Sequence, residues 1–386
     1  MKSTRKIILL GTLLSLPVTA EVNVNGFATM AGGLTTSSDE TLYGYDSDSS
    51  FAQDSVMGIQ ISGDVGEGLT ATAQLISRGS EDWNVEAEWA YISYEATDYL
   101  KILAGKQRSP YYMYSDYVDV DYAYHWITPP QGVYSLPFDS TTGVGMHYTR
   151  PIGNLDSTVQ VVYGRNKKDL DLGALETRNS FSLAWTLTYD WLTLRASHSA
   201  AELDIDISNT LDLNIKKINT LVNGWTFAGF PELADELLIA EEDVTFDEIG
   251  ISIDYNNLLI VAELTQLKLG DTFLSDQESS YISVAYRLEK FTPHITYGRD
   301  EDTPETGTFA GVPWGVAPAL DLLRAKSEAL VASQEEDSDY ITVGVRWDFH
   351  DSAALKMEYT EFNDGFRKGA TNTDASLFRI AITTVF

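Results

Sequence analysis

The C-terminal segment 376–386 alternates between two kinds of residue and ends on an aromatic side chain. Every second residue, counted back from the C-terminus, belongs to one largely apolar face: Phe386, Thr384, Ile382, Ile380 and Phe378. The opposite face carries Arg379, Ala381 and Thr383, because successive side chains of a strand point to opposite sides. An apolar face turned to lipid requires a closed sheet, since lipid offers no hydrogen-bond partner to an open edge. The segment predicts a transmembrane β-barrel; the alternative is the last edge strand of a soluble sandwich.

The N-terminus predicts export. Three basic residues, Lys2, Arg5 and Lys6, precede an apolar run at 7–16 and small residues up to Ala20. This order is typical of a secretory signal peptide, and the run is too short for a membrane helix, which needs about 20 apolar residues. We therefore expect residues 1–20 to be removed and residues 21–386 to form one barrel domain.

Composition narrows the class of protein. The chain has no cysteine, which excludes disulfides and thiolate metal sites. Its 57 acidic residues outnumber 26 lysines and arginines, and the net charge of −31 becomes −34 once the three bases of the signal are removed. So acidic a chain is excluded from binding nucleic acid, which requires a basic surface, and it attracts cations. The alternative explanation for the charge is adaptation of a surface protein to salty water.

Candidate strands follow one another along the rest of the chain. There are sixteen, at approximately 22–34, 52–64, 69–79, 84–95, 99–107, 141–150, 155–164, 177–188, 191–199, 244–254, 258–268, 278–288, 291–299, 339–349, 353–362 and 376–386. Seven short turns rich in Gly, Asn and Asp alternate with eight connections, most of them long. A barrel with both termini in the periplasm requires this alternation, because its periplasmic turns are short and its external loops are long. The pattern predicts an all-β, antiparallel transmembrane barrel of sixteen strands.

Three connections are long enough to carry structure of their own: 108–140, 200–243 and 300–338. Apolar residues at helical spacing predict helices in the last two, at 209–222, 231–241 and 318–333. Pro231 and Pro318 each stand where a first-turn proline belongs. These helices are interpreted either as loop helices folded over the barrel mouth or as a duplicated gating element.

The most specific motif lies in the segment 90–112. A hairpin there ends in a Gly-basic-Gln sequence at 105–107, and a Pro-aromatic step at 110–111 leads into a long third loop. The strand at 143–148 that follows the loop also fits. These roughly 60 residues resemble the general trimeric porins of Gram-negative bacteria. The strand plan and the C-terminal strand extend the resemblance loosely to the whole mature chain.

The resemblance implies an outer-membrane location and passive diffusion of small hydrophilic solutes and ions. It implies a homotrimer with the early strands at the interface, surrounded by outer-membrane lipid and lipopolysaccharide, and no cofactor or metal. The C-terminal strand resembles the closing signal of bacterial outer-membrane proteins. That similarity assigns recognition by the barrel-assembly machinery to Phe378, Ile380, Ile382 and Phe386.

The resemblance also implies a pore constriction, because the third loop of these porins folds inward and sets acids against a basic ladder on the wall. Lys106 occupies the basic wall position of the family, and the loop supplies the acids Asp116, Asp119 and Asp121. Arg108 and Arg78, at the upper ends of neighbouring up-going strands, are expected to complete the basic side. Lys106 stands where the family usually has arginine, and the usual Pro-Glu-Phe-like loop tip is not cleanly present; 136–139 is a faint echo. With an acidic vestibule above this ring of charge, we expect a mild preference for cations.

Other interpretations of the same residues stay open. The loop acids are also compatible with turn caps in a solvated external loop, or with hard-cation ligands for calcium. The loop is rich in aromatic residues: Tyr111, Tyr112, Tyr114, Tyr117, Tyr122, Tyr124 and Trp126. These predict either the sugar slide of a substrate-specific uptake channel or packing against the wall. A barrel enzyme is the remote alternative, because the five histidines show no catalytic spacing.

Overall fold

Residues 22–170, 173–206, 213–270, 272–365 and 374–386 are described by the structure, a computed structural model, and the predicted signal peptide at 1–20 lies outside them. Sixteen strands form one closed sheet, in which each strand pairs antiparallel with the next and the last pairs with the first. The strands are β1 (Val22–Thr35), β2 (Val56–Gly66), β3 (Leu69–Arg78), β4 (Val85–Thr97), β5 (Leu100–Arg108), β6 (Ser140–Ile152), β7 (Leu155–Leu170), β8 (Gly173–Tyr189), β9 (Leu192–Asp206), β10 (Ile239–Tyr255), β11 (Leu258–Lys268), β12 (Asp276–Tyr286), β13 (Phe291–Thr303), β14 (Glu336–His350), β15 (Ala353–Asp364) and β16 (Ala375–Val385). The predicted sixteen-stranded antiparallel barrel is confirmed.

The seam between β1 and β16 closes the barrel as far as the last residue. Its register runs from Phe27 opposite Val385 to Thr35 opposite Leu377. The backbone N–H of Phe386 donates to the carbonyl of Gly26 at 2.9 Å, and the N–H of Gly26 donates back at 2.7 Å. The Phe386 ring covers Gly26 so closely that a Cβ at this glycine would come within 2.4 Å of it.

Side chains alternate across the barrel wall in the sense opposite to that of a soluble protein. On β13, Ile295 and Tyr297 are about half exposed on the outer face, whereas His294 and Thr296 are buried on the inner face. On β16, Phe378 and Ile382 are exposed on the outer face and Ile380 lies partly exposed on the same side; Phe386, which directly follows the strand, is also exposed. The apolar row of the C-terminal strand therefore faces outward, as expected for strands that meet lipid.

Exposed aromatic residues gather at the end of the barrel that carries the short turns. They include Tyr189, Trp191, Tyr255, Tyr286, Phe291 and Trp347. The rings of Phe291 and Trp347, which lie opposite each other on β13 and β14, are stacked with centroids 5.9 Å apart. This arrangement matches the aromatic girdle expected at a membrane interface. No helix among the described residues has the length and apolar character needed to cross a membrane.

Several strands extend further at the external end than the sequence pattern predicted. The segment between the predicted strands 155–164 and 177–188 is mostly strand, since β7 runs to Leu170 and β8 begins at Gly173. The pairing continues beyond an irregularity at Gly164, where Asn166 lies opposite Thr177. The sequence pattern missed these strand ends because many residues there are polar. The extended hairpin lacks the row of lipid-facing apolar residues from which a strand is predicted.

The two long external connections contain helices that pack on each other. The helices are α1 (Leu213–Ala228), α2 (Pro231–Asp235) and α3 (Pro318–Ala332); the beginning of the helix predicted at 209–222 lies outside the described residues. Trp225 of α1 stacks on Phe309 at 5.5 Å, and its indole N–H donates to the buried Ser327 hydroxyl of α3 at 2.9 Å. The loops between β9 and β10 and between β13 and β14 thus share one apolar core, which we term the external helical cap.

We predict that deletion of Phe386 lowers the yield of folded barrel strongly, because it removes both backbone bonds to Gly26 and the ring that covers this glycine. Substitution of the inward-facing Ala381 by glycine has a much smaller effect. Folding into detergent micelles, followed by circular dichroism and protease resistance, measures both. Phe51→Ala is the matched control, since Phe51 is an equally exposed aromatic that packs on Gly32 of the same strand. Equal losses in the two phenylalanine variants would contradict a special role for the terminal residue.

Candidate pore constriction

The third loop, residues 109–139 between β5 and β6, folds into the barrel. Its backbone is bound by inward-facing side chains of distant strands. Arg195 donates to the carbonyl of Pro110 at 2.8 Å, and Ser197 donates to that of Tyr111 at 2.6 Å. The N–H of Ile127 donates to Glu358 at 2.7 Å. A loop inside a lumen exposes polar backbone groups that need partners, and the wall supplies them. The predicted inward fold of this loop is confirmed.

Much of the loop forms an aromatic core against β10, β11 and β12. Tyr111, Tyr112, Tyr124 and Trp126 are all buried, with exposed fractions of 4% or less. They pack with Phe246, Val261 and Tyr281 of the wall. The indole N–H of Trp126 donates to Thr296 at 2.8 Å. Of the seven aromatic residues singled out in the sequence, Tyr117 is the one exposed, at 40%. Packing against the wall therefore explains most of them better than a sugar slide.

Glu263 of β11 joins the two limbs of the loop to this core. One carboxylate oxygen accepts from the N–H of Met113 on the first limb at 2.9 Å. The other accepts from the hydroxyl of Tyr134 on the returning limb and from that of Tyr281 at 2.6 Å. The buried carboxylate is thus satisfied by three donors, as a buried charge requires.

Three of the six predicted constriction residues meet in one ion-pair cluster. Asp119 accepts from Arg78 at 2.9 Å and also from Arg108. Arg78 pairs further with Glu86 at 2.7 Å, and Arg108 with Asp139. The buried Glu88 lies 3.4 Å from Arg78 and 3.5 Å from Arg108. The loop acid therefore touches the basic ladder directly, with no space for water between the paired groups.

Asp139 is the other loop acid of the cluster, at the end of the faint echo in the sequence. Burial alone would raise its pKa, but the charge of Arg108 outweighs that effect and lowers the pKa to about 2. The residue therefore stays ionised, and the cluster contains two guanidinium groups with Glu86, Glu88, Asp119 and Asp139 around them. Sequence reasoning missed Glu86 and Glu88, although their two-residue spacing on β4 placed them on one face beside the strand of Arg78.

The other two loop acids lie apart from this cluster. Asp116 is exposed to the lumen, and its carboxylate accepts from the amide of Gln160 at 3.1 and 3.2 Å. Asp121 is buried, and its backbone carbonyl accepts from Lys356 of β15. No sequence pattern predicted that Lys356 contacts this loop, because Lys356 is separated from Asp121 by 235 positions. Among the described residues no set of histidine, aspartate and glutamate side chains is arranged to hold a metal ion.

Lys106 does not join the constriction. Its register partner Ala90 stands two residues from Ile92, which is 53% exposed on the outer face. Paired residues of neighbouring strands share a face, so Lys106 also points outward. Its ammonium group donates to the carbonyl of Ala87 at 2.8 Å. The structure thus brings Arg78, Arg108 and Asp119 together and leaves Lys106 outside the lumen.

A closed barrel with an inward-folded loop and a charged narrowing defines the class of outer-membrane channels. The chain belongs to the Gram-negative porin family, whose family model matches residues 8–383. It is therefore an outer-membrane porin.

Solved structures with the same fold cover 95% of this chain. OmpF of Salmonella typhi in complex with daunomycin has a TM-score of 0.58 at 13% identity, with 98% of its chain covered. The trimer form of OmpT of Vibrio cholerae has a TM-score of 0.55 at 14% identity, with 99% covered. An anion-selective porin from Comamonas acidovorans has a TM-score of 0.54 at 11% identity, with 100% covered. None of the curated protein sequences matches the chain.

We predict that Asp119→Asn lowers the free energy of unfolding by about 3 kcal/mol, near the low end for a broken buried ion pair, because Glu88 and Asp139 still neutralise the arginines. Asp254→Asn is the matched control. It breaks the exposed pair with Arg287 at 2.6 Å, and exposed pairs contribute about 1 kcal/mol or less. Urea unfolding of the barrel in detergent measures the difference. Equal costs in the two variants would show that the cluster is not a structural element of the constriction.

Proposed function

We propose that this porin is a passive diffusion channel for small hydrophilic solutes and ions with a mild preference for cations. The observation that carries the proposal is the excess of negative charge among the described residues that face the lumen. The Asp116 carboxylate is exposed there beside the side-chain amide of Gln160. The ion-pair cluster contains four carboxylates and two guanidinium groups. A confined pore with low-dielectric walls strengthens the effect of such fixed charge on passing ions.

An acidic vestibule at the external end supports the same sign of selectivity. A cavity of about 440 Å³ lies between the loops and the upper ends of β12 to β15. Four carboxylates line it: Asp300, Asp302, Glu336 and Asp364. No lysine or arginine occurs among the described residues of this lining. Cations are therefore concentrated above the constriction, within roughly one Debye length of about 10 Å.

The fold by itself does not decide the sign of selectivity. The porin from Comamonas acidovorans is described as anion-selective and shares the barrel. The proposal for this chain therefore rests on its own charged residues. Because total charge includes external loops that are screened by salt, the residues at the narrowing matter more than the net charge of −31.

Two alternative functions have less support. A substrate-specific sugar channel requires accessible aromatic rings along the path, and most aromatic residues of the third loop are buried. A barrel enzyme requires a reactive group open to solvent. His125 of the third loop and Ser283 of β12 share a hydrogen bond of 2.9 Å, but both are buried where the loop meets the wall. We therefore propose no catalytic activity.

We also propose a homotrimer, each protomer with its own pore. OmpT of Vibrio cholerae is described in a trimer form. The early strands of this chain present exposed aliphatic residues on the outer face, among them Met30, Met57, Ile59, Ile61 and Val85. Outer-membrane lipid, lipopolysaccharide and the barrel-assembly machinery remain proposed partners, and cleavage after Ala20 remains a proposal that N-terminal sequencing of the mature protein tests.

We predict that Asp116→Asn lowers the cation-to-anion permeability ratio about fourfold, since a unit charge about 10 Å away in water is worth roughly 0.4 kcal/mol and acts with opposite sign on cations and anions. The double variant Asp119→Asn with Asp121→Asn shifts selectivity in the same direction, because it removes two carboxylates while Arg78 and Arg108 remain. Reversal potentials in a salt gradient across planar bilayers measure both effects. Lys106→Gln is the control that leaves selectivity unchanged, since Lys106 points outward. A wild-type channel that prefers anions would contradict the proposal.

We predict that cross-linking in mild detergent captures a trimer, and that Ile59→Lys on β2 reduces it by placing a charge in the interface. Ile282→Lys is the matched control, because Ile282 has a similar exposure on β12, on another part of the wall. Only monomer in the wild type would refute the trimer. Equal loss of trimer in both variants would place the interface elsewhere.

A further inference from the structure

Two basic residues stand directly opposite each other inside the lower half of the barrel. Arg346 of β14 and Lys356 of β15 are register partners. Arg346 lies four residues before the last residue of β14, and Lys356 lies three residues after the first residue of β15, so both are near the periplasmic turn that joins these strands. Lys356 is 1% exposed, and the side chain of Arg346 is 13% exposed. Like charges directly opposite on neighbouring strands destabilise a sheet. Asp348 of β14 pairs with the Arg346 guanidinium at 2.8 Å and offsets part of this repulsion. The remainder calls for a partner that both cations share.

The shared partner is the lowest turn of the third loop. Arg346 donates to the carbonyls of Tyr122 and Tyr124 at 2.5 and 2.6 Å. Lys356 donates to the carbonyls of Asp121 and Trp126. Four carbonyls within six residues of backbone are thus satisfied by two side chains. Because their oxygens carry partial negative charge and are shielded from water, they act together with Asp348 to offset the repulsion between the two cations.

The same turn reaches the periplasmic end of the barrel. The guanidinium of Arg346 lies 4.7 Å from the centre of the Tyr122 ring, a cation–π contact. The hydroxyl of Tyr122 donates at 2.7 Å to the carbonyl of Asp351, which belongs to the short turn between β14 and β15. The third loop therefore extends from the external rim through the lumen to the level of a periplasmic turn.

We propose that Arg346 and Lys356 form a carbonyl clamp that holds the lowest turn of the third loop near the periplasmic end and so keeps the passage narrow there. They are positioning residues, since they bind the loop and need not touch the solute. The first limb has its own anchors at Arg195, Ser197 and Glu263. Without the clamp, the turn around Ala123 moves away from the wall more often, while the bonds of Trp126 to Thr296 and of Ile127 to Glu358 keep the rest of the loop in place. This inference rests on the channel function proposed above.

The absence of cysteine from the chain allows a direct test. Ala123 is exposed in the clamped turn, and Ala123→Cys gives the protein a single thiol. Single channels in planar bilayers are treated with a cationic methanethiosulfonate reagent from either side. With the clamp intact, we expect the current to change faster after addition at the periplasmic side.

In the same background, Arg346→Met with Lys356→Met should remove this preference for one side, raise the conductance and increase open-channel noise. The undocked population, and with it the rate of modification from the external side, rises about tenfold for each charged donor that is lost. Arg346→Lys keeps a donor and restores part of the wild-type behaviour. Arg287→Met is the control, because it removes a paired arginine at the periplasmic end whose bonds are to Asp254.

Conductance, noise and side preference that stay at the Ala123→Cys level in the double variant would overturn the clamp. Equal effects of Arg287→Met would overturn it too, since they would trace the change to lost charge alone. If the double variant does not fold, Arg346→Met carries the test, because this side chain is the more exposed of the two. A failure of the proposed channel function has a different result: the Ala123→Cys protein with its clamp intact then conducts no ions.

Discussion

Closure of the sheet is the condition on which every other feature depends. A strand in lipid has no water to satisfy its backbone, so each N–H and carbonyl must pair with a neighbouring strand. The pairing of β1 with β16, carried to the reciprocal bonds between Gly26 and Phe386, leaves no open edge among the sixteen described strands. Once the ring is closed, alternation along each strand divides side chains into a lipid-facing apolar set and a lumen-facing polar set. The same closure creates an interior wide enough to take in a loop of thirty-one residues, 109–139.

That loop brings a second set of backbone groups into an enclosed space, and the polar inner wall satisfies them. The contacts are of three kinds: neutral donors such as Ser197, carboxylates such as Glu263 and Glu358, and the cations Arg195, Arg346 and Lys356. The charged side chains of the lumen therefore have two roles. Some hold the loop, and others, above all Asp116, are exposed to passing ions. This division explains why the total charge of the chain is a poor measure of its selectivity.

Part of the constriction was predictable, and the part that was missed has a physical explanation. Arg78 and Arg108 were predicted from their places at the upper ends of strands and Asp119 from its place in the third loop, and the structure brings the three together in one cluster. Lys106 matched the Gly-basic-Gln motif, but its side chain points outward. The preceding Gly105 has a φ of 135°, and the motif does not specify the direction of the side chain that follows such a backbone turn. Glu263, Arg346 and Lys356 act through contacts that span more than a hundred positions. Such contacts depend on which strands face each other across the lumen.

The sequence by itself determined the barrel, its strand number and the side of each strand that meets lipid, because these follow from local alternation and from the lengths of turns and loops. It also determined that one loop carries acids and aromatic residues. Only the tertiary structure decided which of those residues pack, which are neutralised and which face the lumen. The physical reason is that a two-residue period specifies a face but not what lies opposite that face. In this barrel, what lies opposite is a loop folded across the interior, and its path is set by hydrogen bonds between residues far apart in the chain.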